Sequence, residues 1–225
     1  MVANHELYGA FPVLTIFGNS LCFYGLTLYF LIWWCEIENR KTRGLKLTDI
    51  PNYKDLLDAI RKAYRDMDNG RYRIRDLAFV SVLVFTGCRL GEALELTKAD
   101  LDPKERVVKI RQRKKRTEFI RLVPVPTQLF WDIMDRYLWR VEDRLFTISE
   151  RQARNIVYEF TKHYLRKKIR PHAIRHSYAL AVLEATRNLE VVRRLLGHSR
   201  YNTLRFYLDY TQKDLEDYIS DIFMS

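Results

Sequence analysis

From residue 45 onward, apolar positions recur mostly at three- and four-residue spacing, the period of a half-buried helix. Leu56, Leu57, Ile60 and Tyr64 form one such stripe, broken at Asp68-Asn69-Gly70. A second apolar run, from about Ile74 to Phe85, stops at Gly87, and Arg89 opens a third helix carrying Leu90, Leu94 and Leu96. Asp102-Pro103 marks a turn. The period then changes: Val107 to Arg111 and Phe119 to Val125 alternate or run β-branched, which predicts a hairpin with Lys114 and Lys115 at its tip. Helices resume after Pro124 and Pro126, and Ser149-Glu150-Arg151-Gln152 reads as a capping box opening a helix to about Tyr164. The expected fold class is mainly α with a small β-hairpin or sheet.

Upstream the pattern is of another kind. Residues 7 to 35 carry no charged side chain, and Leu21 to Trp34 is rich in Leu, Tyr, Phe, Ile and Trp. That length suffices for a membrane span, and Arg40, Lys41 and Arg43 follow it, which would keep the rest of the chain in the cytoplasm. Pro12, Gly18, Asn19, Ser20 and Gly25 argue the other way, toward a buried hairpin or the remnant of a lost N-terminal domain. A signal peptide is disfavoured, because Met1 to Glu6 holds no Lys or Arg. The expected division is a hydrophobic segment over residues 1–44, membrane anchor or truncation remnant, and one folded domain over 45–225.

Composition adds a partner. With 39 Lys and Arg against 28 Asp and Glu, the 225-residue chain carries a net charge of +11, the footprint of a nucleic-acid binder, although an anionic membrane would attract it equally. Cys22, Cys35 and Cys88 are odd in number with no paired spacing, which argues against a disulfide framework or zinc module and for a reducing cytosol. His172, His176 and His198 supply too few ligands for a structural zinc site. Basic side chains cluster twice. One group is Arg111, Arg113, Lys114, Lys115 and Arg116 on the hairpin; the other includes Arg151, Arg154 and Lys162 on the capped helix. Both suit contact with DNA phosphates.

The candidate chemistry lies in short motifs. Thr86-Gly87-Cys88-Arg89-Leu90-Gly91-Glu92 comes first, then Pro171-His172-Ala173-Ile174-Arg175-His176. Leu196-Gly197-His198 follows, with His198 23 residues after Arg175, and Tyr207 nine residues beyond that. In this order and at these spacings, over roughly Leu45 to Tyr218, the chain resembles the tyrosine recombinase (phage integrase) family. The resemblance implies that family's catalytic fold and a site-specific recombinase that cuts and rejoins DNA through a 3′-phosphotyrosine, with neither metal nor nucleotide cofactor. It assigns Arg89 and Arg175 to clamping the scissile phosphate, whose developing charge a guanidinium fork matches. Tyr207 becomes the nucleophile, and because a phenol is a poor nucleophile near neutrality it needs help from a base such as His172. His198 would bind the phosphate or orient the site. A hairpin lysine would protonate the leaving 5′ oxygen; the register from Arg121-Leu122-Val123-Pro124 favours Lys115, with Lys114 close behind.

Double-stranded DNA is then the expected partner, with copies of the chain self-associating on it as a tetramer, as the family does. Members of the family usually carry a helical DNA-clamping domain ahead of the catalytic one, and 44 residues leave no room for it. The rival readings are therefore an inactive or truncated DNA-binding integrase remnant and a type IB topoisomerase-like DNA relaxer.

Overall fold

The computed structural model describes residues 49–114 and 117–197, with backbone alone at 113, 114, 117 and 118. The expectations for residues 7–35, Lys115, Arg116, His198 and Tyr207 fall outside the described residues. The described chain runs α1 (Tyr53–Asp68), α2 (Ile74–Thr86), α3 (Leu90–Leu94), a 3-10 turn (Lys98–Asp100) and β1 (Leu101–Asp102). It continues with β2 (Val107–Lys114), β3 (Thr117–Pro124), α4 (Gln128–Leu138), α5 (Glu150–Leu165), α6 (Pro171–Thr186) and α7 (Leu189–Leu196). No helix among the described residues is long and apolar enough to cross a membrane.

α2 organises the rest. Every residue from Leu77 to Thr86 is buried, as befits a helix that is apolar on all sides and must be covered all round. α1, α4, α5 and α6 pack on it, and Phe79, Phe130, Phe146 and Phe160 fill the space between them. Edge-on ring contacts such as Phe79 with Phe146, at 5.1 Å between centroids, fix their mutual tilt. α1 shows the amphipathic stripe predicted for it, burying Leu56, Ala59, Ile60 and Ala63, and α5, expected from its capping box, likewise buries Ala153, Val157 and Phe160 along one face.

β1, β2 and β3 form an antiparallel sheet in that order. Ile110 stands opposite Arg121, Gln112 opposite Phe119, and Lys114 opposite Thr117, so the ladder closes on a two-residue tip. Val108, Ile110, Arg121 and Val123 face inward, whereas Ile120 and Leu122 lie 53% and 60% exposed on the outer side of β3. Arg111, grouped with the basic tip on charge alone, turns back instead: its Nε and Nη2 both bond the buried Asp100 carboxylate, at 3.1 and 2.8 Å.

Gly87 ends α2 in the left-handed conformation at φ 59°, donating its N–H to the Leu83 carbonyl. A Cβ at this position would lie 2.4 Å from Cδ1 of Tyr178, a ring held edge-on against Tyr53. Gly87→Ala should therefore combine left-handed strain with overpacking and cost at least about 2 kcal/mol. Thermal unfolding checks this; a melting temperature within a degree or so of wild type would mean that Tyr178 yields.

Candidate active site

Three elements meet at the Gly87 turn. α2 ends there, α3 begins just beyond, capped by Arg89, and α6 passes alongside, carrying Arg175 one turn in from Pro171. Proline suits that first helical position because its missing N–H has no partner to lose. Arg175 is only 3% exposed, and its fork grips backbone: Nη1 donates to the Gly87 carbonyl at 2.8 Å and Nη2 to the Leu196 carbonyl at 2.7 Å. One guanidinium thus ties the end of α2 to the last turn of α7. Burial, and then the nearby Arg89 charge, lower the Arg175 pKa to about 10, which still leaves it cationic at neutral pH.

Arg89 caps α3. Its backbone N–H donates to Glu92 Oε2 at 2.9 Å and its Nη1 to Glu92 Oε1 at 2.7 Å. The carboxylate is shared: Arg121 Nη2, from β3, reaches Oε2 at 2.5 Å, and Arg175 Nη1 lies 3.9 Å from the same oxygen. Burial alone would raise the Glu92 pKa, but the Arg121 hydrogen bond and charge and the Arg89 bonds outweigh it and hold the carboxyl at about 2.

Gln112 on β2 completes the ring. With its amide oriented so that both ends are satisfied, the nitrogen donates to the Gly197 carbonyl at 2.9 Å and the oxygen accepts from Arg89 Nη1 at 2.8 Å. Gly197 itself ends α7 in the left-handed conformation, at φ 67°.

In front of this ring opens a cleft of about 360 Å³, lined by Arg89, His172, Arg175, Arg154, Arg170 and Tyr158 among others. Of the residues selected from sequence, Arg89, His172, Arg175 and Arg154 therefore come together. Arg154 also pairs with Glu150 one turn back. Arg151 and Lys162 lie exposed along α5, outside the lining, and Arg113 and Lys114 are described in backbone only. Sequence reasoning passed over Glu92, Gln112, Arg121 and Arg170. Arg121 had a signal: it is a charged residue where the alternation of β3 calls for an inward apolar one. Glu92 was visible inside the first motif but had no assigned role. Gln112 gave no sign.

His172 is exposed at the cleft, and its ring meets that of His176 edge-on at 4.6 Å. Partial burial, then the Arg175 and Arg89 charges, push the His172 pKa down. The ring is accordingly neutral near physiological pH and has a lone pair with which to accept a proton. Among the described residues no cluster of His, Cys, Asp and Glu could hold a metal ion. What the arrangement offers is a cationic cradle with a neutral imidazole at its edge, a place for a phosphoryl group.

Residues 51–214 match the phage integrase family. The chain is 29% identical over 155 residues to tyrosine recombinase XerA of Pyrococcus furiosus, covering 64% of this chain and 54% of that protein. It is 26% identical over 197 residues to tyrosine recombinase XerH of Campylobacter jejuni, covering 81% and 54%. It thus spans about half the length of these relatives. Its fold is similar to the crystal structure of XerA recombinase, with a TM-score of 0.56 at 24% identity over 72% of this chain and 58% of that one. It is also similar to XerH bound to palindromic difH substrate in a post-cleavage complex, with a TM-score of 0.62 at 22% identity over 78% and 53%.

The site generates a pH prediction through His176. Burial, then the His172 ring and the Arg175 charge, lower its pKa from 6.5 to about 4. Between those values the unfolded chain binds more protons than the folded one, so stability falls as pH drops through that window. Glu92 takes effect as pH falls from 4.5 to about 2, overlapping the His176 window only at its lower edge. His176→Asn should lose less melting temperature than wild type on going from about pH 7 to about pH 4.5. Equal losses would show that His176 carries none of the effect.

Proposed function

Because the chain belongs to the phage integrase family, we propose that it is a site-specific recombinase that cleaves and rejoins double-stranded DNA through a 3′-phosphotyrosyl intermediate. The observation that carries this reading is the cleft in which Arg89, Arg175 and His172 converge, with Arg154 and Arg170 on its rim. Arg89 and Arg175 bind the non-bridging oxygens of the scissile phosphate, where charge gathers in the pentacoordinate transition state. The Tyr207 oxygen forms a bond to phosphorus, the bond from phosphorus to the 5′ oxygen breaks, and the phenol proton passes to neutral His172. One ester replaces another, so rejoining by the 5′ hydroxyl runs the same steps backward without a nucleotide.

His198 follows directly on Gly197, whose carbonyl Gln112 bonds and beside which Arg175 holds the Leu196 carbonyl. This tether supports the role proposed for His198 at the phosphate. Arg113, Arg116, Arg151, Arg154 and Lys162 contact flanking phosphates, and copies of the chain self-associate on the duplex in the compartment that holds it.

For the leaving group two lysines compete. One is Lys115, which the register from Arg121-Leu122-Val123-Pro124 favours; the other is Lys114, on the last rung of the ladder.

Two outcomes are expected. Incubated with a pool of nicked duplexes of randomised core sequence, the full chain should form a covalent 3′-linked adduct, resolved by denaturing electrophoresis, which Tyr207→Phe abolishes. An adduct that persists in that variant would move the nucleophile elsewhere. Replacing the bridging 5′ oxygen by sulfur yields a leaving group that needs no proton, so it should restore cleavage to whichever of Lys114→Ala and Lys115→Ala has lost the general acid. Rescue of Lys114→Ala alone would overturn the register argument for Lys115.

A further inference from the structure

We infer that Arg121 is a positioning residue that neutralises Glu92, so that the carboxylate can orient Arg89 without repelling the phosphate. The inference rests on the DNA-cleavage reading of the cleft. Glu92 is pulled in two directions, since both its oxygens hold Arg89, yet a carboxylate beside a phosphate site opposes the anion that Arg89 is there to bind. Arg121 meets it from behind, at 2.5 Å, and is absent from the cleft lining. It is as buried as Arg175, but unlike Arg175 it takes no part in lining the cleft. Three guanidinium groups around one carboxylate leave two positive charges facing the phosphate.

A purely structural role fits the geometry poorly. Among the described residues Arg121 Nε and Nη1 find no hydrogen-bond partner, and buried donors left unsatisfied cost stability. Val123 on the same face of β3 and Val125 just past its end are apolar and buried, and an apolar side chain at 121 would continue that core. A buried ion pair with incomplete hydrogen bonding is a weak way to stabilise a fold. Its electrostatic effect on the cleft is a different matter.

The test compares Arg121→Met, Glu92→Gln and the double variant of the full chain, measuring adduct formation on the same randomised nicked duplexes before steady state. Arg121→Met should slow it roughly ten-fold or more, short of the roughly hundred-fold that removing a direct transition-state donor costs. Adding Glu92→Gln removes the uncompensated negative charge and keeps one oxygen acceptor for Arg89, so it should recover part of that loss, a coupling that two independent structural defects would not show. Arg121→Met at the wild-type rate, or a double variant no faster than Arg121→Met, overturns the inference. Should Arg121→Met fail to fold, as circular dichroism would reveal, the double variant carries the test, since it removes both members of the buried Arg121–Glu92 pair. A folded double variant within about ten-fold of wild type supports the proposal, and a folded, inactive one overturns it. Absence of an adduct from wild type itself would overturn the cleavage reading, and the inference with it, an outcome distinct from a failure confined to Arg121.

Discussion

Guanidinium groups repel one another, and they can be gathered at one place inside a protein only if fixed acceptors hold them there. Here the acceptors are the Glu92 carboxylate and the carbonyls of Gly87 and Leu196. Coulomb repulsion between unit charges a few ångströms apart amounts to several kcal/mol at an effective dielectric near 20. Burial first, and then the Arg89 charge, lower the Arg175 pKa. Under the proposed function, a cluster assembled in this way is arranged for the phosphate before it arrives and need not reorganise as negative charge develops there.

The surrounding fold can be understood as what places these acceptors. A carbonyl at the end of a helix has no intrahelical partner, and the structure uses two such ends. Gly87 turns the end of α2 so that its carbonyl meets Arg175, while its missing Cβ admits the Tyr178 ring. Leu196, in the last turn of α7, offers the second. Arg175 is accordingly a tie between segments 88 and 21 residues distant in sequence. Its burial follows from satisfying its donors on backbone, which leaves no reason for the head group to seek water.

How much of this could be read in advance depended on whether the information was local. The helical stripe of α1, the stop at Gly87, the capping box at Ser149 that opens α5 and the hairpin all follow from neighbours in sequence, and they emerged where periodicity and turn chemistry put them, with ends shifted by a few residues. α2 was legible as an apolar run, but its centrality was not, since burial on all sides depends on what four other helices do. In the candidate site, Arg89, His172 and Arg175 were legible through motif spacing. Gln112 and Arg121 were not, because their meaning arises only when the ladder sets Ile110 opposite Arg121 and brings the inward side of the sheet against the Arg89 turn. Arg111 shows the converse error: one of a basic run in sequence, it is withdrawn from that run by the buried carboxylate of Asp100.

That convergence has a mechanical consequence. Gln112 bonds Arg89 at one end and the Gly197 carbonyl at the other, and it lies on the strand whose last rung is Lys114. The sheet, the Arg89 turn and the end of α7 therefore share one amide. A displacement of β2 must either stretch these two hydrogen bonds or carry Arg89 with it. Strand and guanidinium cluster are thus joined through a short hydrogen-bonded path, so the position of β2 and the geometry around Arg89 constitute one variable.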